Sequence, residues 1–372
     1  MNAMEEDSPH EMQHPAQSSS GVVDVPPATE APPVLRASDQ PPYLPSPDDD
    51  NADTPMENTF NNADPSTMSV TSSVYDFLEE NGRTYHSYKA GKYLLPNDTR
   101  ERERLDLQHA LFLLTVNGRL FLAPIGDNPR NVLDIGTGTG IWAIDFAQMF
   151  PEAQVIGTDL SPIQPIFLPT NCRFEINDAE EEWAFTKRFD YIHGRAMASC
   201  FSDPSSVIRQ AFEACAPGGY LELQDGVYPF QFAGPTQPDP NNAMYRWAGL
   251  IYEGAAKAGR PLNRVRNYKK WMEEAGFEDV VEQYFYWPNG TWAKGEYYKT
   301  IGAVFQQNLL AGLEGMSLKT LGRLGWSTEQ IMPFLSEVRE EILNPSATRA
   351  FLPILFVYGR KPLSSQIGTQ VS

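Results

Sequence analysis

The sequence predicts an α/β fold with a parallel sheet and helices on both faces. Short apolar segments alternate with helical segments across residues 131–224, which is the pattern of βαβ units. A glycine-rich turn at 136–140 directly follows the first apolar segment. The first 70 of the 372 residues differ in composition from the rest. We therefore expect one α/β domain preceded by a tail.

Five strands are expected in this alternating region. The glycine turn leads into a helix at 141–150, and Pro151 stops that helix because proline cannot continue it. A second helix at 207–215 ends at the Ala-Pro-Gly-Gly segment 216–219. The strands are predicted at 132–134, 154–158, 173–176, 189–193 and 220–224.

Beyond residue 225 the pattern is less regular, but it predicts a sixth and a seventh strand. Residues 280–287 are β-branched and aromatic, and residues 351–358 are mostly apolar. The segment 288–350 between them is too long for a hairpin and contains two predicted helices, at 295–311 and 328–343. We expect this segment to form a helical lid beside the ligand crevice, inserted before the last strand. Further helices are expected at 243–258 and 265–275.

The chain divides into three predicted regions. Residues 1–70 form an acidic, proline-rich tail with 13 acidic residues, one base and 12 of the 31 prolines. Such a segment buries too little apolar surface to offset the entropy of ordering its backbone, so we expect disorder. Residues 71–129 are expected to form an N-terminal helical cap, in which Asp98 and Glu101 resemble a capping box. Residues 130–372 then form the main domain.

Composition excludes several classes of protein. The formal net charge of −19 is unsuited to direct nucleic-acid binding, which requires clustered Lys and Arg. Three cysteines cannot form a disulfide framework, and their spacing fits no zinc motif. The acidic N-terminus is not that of a signal peptide, and the longest apolar segments are far shorter than a bilayer span. We expect an intracellular protein, in the nucleus, the cytoplasm or both.

The glycine turn is the strongest chemical signal. Asp134 ends the first strand, and Gly136, Gly138 and Gly140 alternate after it. Glycines at these positions let the backbone pass close to a ligand, and the N–H groups of the next helix point to the same place. A G-x-G-x-G turn alone is weak evidence for any one ligand, because dinucleotide-binding folds also have a turn of this kind.

Two more acidic residues indicate which class of ligand binds at this turn. Asp159 ends the second strand, where a carboxylate can accept both hydroxyls of a ribose. Asp178 and Ala179 follow the third strand, where a carboxylate and a backbone N–H can recognise the adenine edge. The glycine spacing and the acid preceding it favour S-adenosylmethionine over NAD, with Asp134 holding the methionine ammonium.

Together these motifs resemble the class I methyltransferases over residues 130–225. The resemblance implies a Rossmann-like, seven-stranded sheet whose last strand is antiparallel, and S-adenosylmethionine as the cofactor. The cofactor contacts that it implies are Asp134, Gly136, Thr137, Gly138, Gly140, Asp159, Leu160, Asp178, Ala179 and Tyr93.

Further motifs are similar to those of the fungal LaeA-like methyltransferases. They are E-N-G-R-T-Y-H at 80–86, G-K-Y at 91–93, P-N-D at 96–98, S-P-I-Q-P at 161–165 and N-C-R-F at 171–174. This resemblance implies a regulator of secondary metabolism and development that acts with protein partners such as velvet-domain proteins. It leaves two alternatives open: a tailoring enzyme for one small metabolite, and a catalytically silent interaction module. The methyl acceptor is then a small molecule or a protein.

Three residues are candidate bases for the methyl acceptor. His193 is the first candidate, because it ends the fourth strand and its unperturbed pKa near 6.5 suits proton transfer. Glu222 and Asp225 flank the end of the fifth strand. Each of the three has a structural alternative, as a hydrogen-bond partner of nearby backbone. Tyr93 is expected to fold over the methionine end, where an aromatic face favours a sulfonium.

Overall fold

The computed structural model describes residues 75–234 and 238–363. The predicted disordered tail at 1–70 lies outside these residues. Within them, the chain forms one mixed sheet with helices packed on it, and a small separate hairpin precedes the first helix. The predicted class I methyltransferase fold is confirmed.

The central sheet contains all seven predicted strands. β3 (Asn131–Ile135), β4 (Gln154–Asp159), β5 (Cys172–Ile176), β6 (Phe189–Arg195) and β7 (Cys215–Gly226) are mutually parallel, in the spatial order β5-β4-β3-β6-β7. β10 (Ala350–Arg360) runs antiparallel beside β7 and pairs on its other side with β9 (Glu278–Pro288). A two-residue strand, β8 (Gln231–Phe232), also pairs with β10 and was not predicted.

Eight α-helices are described, and the sequence explains where several of them begin and end. α2 (Ile141–Met149) starts at Gly140, which has a φ of +82°, and α5 (Tyr268–Ala275) ends at Gly276, which has a φ of +105°. α3 (Pro204–Ala214) has proline in its first turn, where no backbone N–H is needed. The other helices are α1 (Thr99–Thr115), α4 (Ala243–Lys257), α6 (Glu296–Arg323), α7 (Thr328–Leu343) and α8 (Pro345–Thr348).

The N-terminal region is not wholly helical, which corrects the prediction of a helical cap over 71–129. Strands β1 (Leu78–Glu80) and β2 (Arg83–Tyr85) form a hairpin around Asn81 and Gly82, both of which have positive φ. An Asn-Gly pair favours this kind of two-residue turn. α1 follows, with Asp98 accepting a hydrogen bond from the backbone N–H of Glu101.

The segment between β9 and β10 is helical, as expected, but its first helix is longer than predicted. α6 runs for 28 residues, and Gly312 and Gly315 lie inside it where the sequence suggested an end. These glycines allow close packing: a Cβ on Gly312 would lie 2.7 Å from the side chain of Arg104 on α1. α6 packs against α1, α4 and α7. It thereby reaches the carboxyl ends of the parallel strands.

Candidate functional site

A cavity of about 220 Å³ lies at the carboxyl ends of the parallel strands. This is the usual ligand position in open α/β sheets. One part of the cavity is lined by the glycine turn and by the ends of β4 and β5. The other part is lined by side chains of α1, α4, α6, β9 and β10. The predicted residues that line it are Gly136, Gly138, Asp159, Leu160, Asp178, Ala179, Tyr93 and Asp225.

The glycine turn has a backbone that only glycine adopts easily. Gly136, Gly138 and Gly140 all have φ between +58° and +82°. A Cβ on Gly138 would meet only the end of Leu105, 3.5 Å away, whereas a Cβ on Gly136 would lie 2.6 Å from Met197. The turn therefore leaves open space above Gly138, where a ligand can approach the backbone.

Asp134 is buried behind this turn, and both of its oxygens have partners. Oδ1 accepts a hydrogen bond from Nδ1 of His193 at 2.8 Å, and Oδ2 accepts one from the hydroxyl of Thr137 at 2.5 Å. The sequence suggested that this carboxylate holds a ligand ammonium directly. In the structure this carboxylate holds Thr137 and His193 in position, and its contact with a ligand ammonium stays a prediction.

Asp159 lies at the end of β4, beside the glycine turn. Its Oδ2 accepts from the backbone N–H of Gly138 and its Oδ1 from that of Ser161, each at 2.9 Å. Burial raises the pKa of Asp159 to about 6. A carboxylate has about four acceptor positions, so lone pairs remain available on the cavity side.

Asp178 is buried at the adenine end predicted from the sequence. Its Oδ1 accepts from the backbone N–H of Glu180, and its Oδ2 pairs with the ammonium of Lys92. Lys92 belongs to the segment 86–97, which contributes His86, Tyr93 and Asn97 to the cavity wall. A ligand group that donates a hydrogen bond to Asp178 from the cavity therefore shares the Asp178 carboxylate with the ammonium of Lys92.

Tyr93 is held at the cavity by a hydrogen bond from its backbone to the side chain of His86. Its N–H donates to Nε2 of His86, 3.2 Å away. Burial raises the pKa of Tyr93 well above its usual value, so the phenol stays neutral. The ring is therefore an uncharged aromatic surface beside the cofactor end of the cavity.

The three candidate bases lie in different environments. Only Asp225 lines the main cavity; its Oδ2 accepts from the N–H of Met197 and the hydroxyl of Tyr268, and burial raises its pKa to about 7. Glu222 is fully buried and accepts from the backbone N–H groups of Leu122 and Ala123, so it joins β7 to the segment after α1.

His193 faces a second, smaller cavity of about 50 Å³ beneath the glycine turn. Its ring stacks on Trp142, with centroids 3.8 Å apart and planes at 7°. Its Nε2 is buried and has no hydrogen-bond partner among the described residues. The ring therefore lies apart from Asp225 and the apolar part of the main cavity.

The sequence singled out Arg195 as a residue that could bind an acidic group, but it did not predict that Arg195 joins His109 and Asp145 in a chain of three polar side chains next to His193. Nη2 of Arg195 contacts Nδ1 of His109 at 2.9 Å, and Nε2 of His109 lies 2.9 Å from a carboxylate oxygen of Asp145. Burial lowers the pKa of His109, and it also lowers that of Arg195 to about 10. The available signal was a lone histidine inside the apolar run of α1.

The other part of the main cavity is mostly apolar, and Arg104, Gln108 and Thr320 are polar side chains of the same helices that line it. Its wall combines α1, α4, α6, β9 and β10 with the turn after β7. The side chains there are Phe112, Tyr228, Ile251, Ala255, Leu262, Trp287, Met316, Leu352 and Ile354. Such a surface suits an apolar or aromatic compound.

The residues present fit S-adenosylmethionine. Open space lies above Gly138, and Asp159 and Asp178 are acceptors at the positions expected for ribose and adenine. Within the two described ranges, no group of three or more His, Cys, Asp or Glu side chains could hold a metal ion. No helix of the described chain is long and apolar enough to cross a membrane.

The sheet order and this site define a class I methyltransferase fold. A family profile described as "Methyltransferase domain" matches residues 107–283. The chain is 37% identical to methyltransferase pytC of Aspergillus terreus, over 80% of this chain and 92% of that protein. It is 34% identical to secondary metabolism regulator laeA of Aspergillus flavus, over 82% of this chain and 83% of that protein. The chain therefore belongs to the LaeA-like methyltransferases, and its cofactor is S-adenosylmethionine.

Solved structures resemble the chain more distantly. Phosphoethanolamine N-methyltransferase 2 of Haemonchus contortus, solved with S-adenosyl-L-methionine, is 17% identical with a TM-score of 0.39. The match covers 74% of this chain and 56% of that one, so the chain spans about half the length of that enzyme.

Proposed function

We propose that this chain transfers a methyl group from S-adenosylmethionine to an apolar small molecule. The observation that carries the proposal is the division of one cavity into two parts. Asp159, Asp178 and the glycine turn line one part, and an apolar wall formed by five secondary-structure elements lines the other. A flat surface for a protein substrate would not need such a wall.

The cofactor contacts follow from the positions of the side chains. Gly138 lets the cofactor approach the backbone closely, Gly136 and Gly140 give the turn its positive φ angles, and Thr137 is fixed there by Asp134. The adenosine contacts are Asp159 and Leu160 for the ribose, Asp178 and Ala179 for the adenine. Tyr93 supplies an aromatic surface beside the sulfonium, where a cation–π contact is favourable.

When bound, the cofactor supplies an electrophilic methyl group with a good leaving group. The protein's task is then to hold the acceptor atom in line with that group, which is a matter of position and orientation. If the acceptor is a hydroxyl or thiol, a base is also needed, and Asp225 is our candidate among the three. It alone lines the main cavity, and a pKa of about 7 lets it take up a proton near neutral pH.

Gene deletion tests this function. The deletion strain should accumulate a compound lighter by one methylene than the metabolite it has lost. Purified enzyme with S-adenosylmethionine should convert that compound to the lost metabolite, and Asp159→Ala should not. Loss of many unrelated metabolites, with no unmethylated precursor, would contradict the proposal.

Regulation is a second candidate function, and the names of relatives favour it. Several relatives at 32–34% identity are named secondary metabolism regulators. A regulator of this kind would act through protein partners, of the velvet type or another, and would be present in the nucleus. Its test is recovery of partners with the tagged full chain, together with localisation of that chain. Restoration of all metabolites by a stably folded Asp159→Ala chain would favour a silent interaction module.

A further inference from the structure

The small cavity beneath the glycine turn holds two buried polar atoms without partners in the described chain. They are Nε2 of His193 and Nη1 of Arg195. Both side chains line this cavity, whose volume of about 50 Å³ is several times what one water molecule needs. Buried polar groups are normally paired, so the partners of these two atoms must come from the contents of the cavity, which are solvent in the free protein and ligand groups in the complex.

The first unpaired atom, Nε2 of His193, is a hydrogen-bond acceptor. Nδ1 of His193 lies 2.8 Å from a carboxylate oxygen of Asp134 and donates to it, so in the neutral ring Nε2 presents a lone pair. Stacking on Trp142 fixes the plane of the ring. The lone pair therefore has a fixed direction, and the group that meets it must be a donor.

The second unpaired atom, Nη1 of Arg195, is a hydrogen-bond donor on a positively charged guanidinium. No carboxylate lies within 4 Å of Arg195 among the described residues, and its guanidinium lies over Phe112 and against His109. Because Arg195 donates to Nδ1 of His109, Nε2 of that ring donates to Asp145. This arrangement fixes one side of the guanidinium and leaves Nη1 free for an anion.

The site therefore calls for one group that donates a hydrogen bond and one anion, and an amino-acid zwitterion has both, as its ammonium and its carboxylate. We propose that His193 and Arg195 bind the methionine end of the cofactor, His193 accepting from its ammonium and Arg195 donating to its carboxylate. Asp134 acts on the ammonium only through His193. This inference rests on the proposed function, because it requires the adenosine end to lie at Asp159.

Calorimetry with two ligands tests it. S-adenosylhomocysteine has the amino-acid end, whereas 5′-methylthioadenosine lacks it and shares the adenosine end. Arg195→Met should weaken binding of S-adenosylhomocysteine by about 10-fold or more, since a hydrogen bond to a charged group is lost, and leave 5′-methylthioadenosine unchanged. His193→Asn should do the same to a smaller extent. Arg209→Met, on the exposed face of α3, is the matched control.

Two outcomes would overturn the assignment of these residues. In the first, Arg195→Met weakens the binding of both ligands equally. In the second, it weakens the binding of neither ligand, while its thermal unfolding matches that of the control. If the wild type binds neither ligand, the proposed function itself fails. Arg195→Lys should recover part of the lost affinity, because it keeps the positive charge.

Discussion

The carboxylate of Asp134 and the imidazole of His193 form a buried pair, with Oδ1 and Nδ1 2.8 Å apart. The pair joins the ends of the neighbouring strands β3 and β6, on which the two residues face each other in register. It fixes the histidine tautomer and, through Thr137, the start of the glycine turn. The strand-end acid is thus a structural support of the site.

Asp134→Asn should therefore destabilise the fold. The substitution weakens two charge-assisted hydrogen bonds in a buried place, and we expect the free energy of unfolding to fall by about 1–3 kcal/mol. Urea denaturation measures this. Glu152→Gln, whose partner Arg130 is also exposed, is the control and should change stability by less than about 0.5 kcal/mol. Equal stability of both variants would show that the pair is not structural.

Asp225 should make stability depend on pH. Its carboxyl pKa is raised to about 7 in the folded chain, above the value of 3.8 expected when unfolded. The wild type therefore gains stability relative to Asp225→Asn as the pH falls from 7 towards 4, by about 1 kcal/mol per pH unit. Denaturation at pH 5, 6, 7 and 8 measures the difference. A difference that stays constant across this range would contradict a raised pKa.

Two glycines of α4 should respond in opposite directions to alanine. A Cβ on Gly254 would lie 2.5 Å from the backbone oxygen of Thr320 on α6, whereas a Cβ on Gly249 meets nothing within 4 Å. Gly254→Ala should cost about 1–3 kcal/mol through overpacking, and Gly249→Ala should add about 0.4–1 kcal/mol. Thermal unfolding of the two variants measures both. If Gly254→Ala is also stabilising, α4 and α6 do not pack this closely.

Filling the apolar part of the cavity should separate acceptor binding from cofactor binding. Met316 on α6 lines the cavity, whereas Met332 on α7 is exposed. Met316→Trp should abolish methylation of the precursor that accumulates in the deletion strain and leave the affinity for S-adenosylhomocysteine unchanged. Met332→Trp should alter neither. Full turnover by Met316→Trp would place the acceptor elsewhere.

The sequence predicted the seven strands and the parallel sheet because local patterns encode them. Asp134, Asp159 and Asp178 each lie at or just after the end of a strand, so their meeting with the glycine turn at one sheet edge follows from a parallel sheet. Contacts between distant segments were not predictable in this way. The partner of Arg195 is His109, 86 residues away, and Lys92 meets Asp178 across a similar separation. The length of α6 was missed because its glycines serve packing against α1.

The glycine turn and Asp159 should together bind S-adenosylmethionine. Calorimetry with S-adenosylhomocysteine measures this on the wild type, on Asp159→Ala and on Asp127→Ala, an exposed control. We expect the wild type and the control to bind equally. We expect Asp159→Ala to bind at least about 10-fold more weakly, because the ribose hydroxyls lose a charged acceptor. Equal affinity of Asp159→Ala and the wild type, or no binding by any of the three, would contradict this role of Asp159 and the glycine turn.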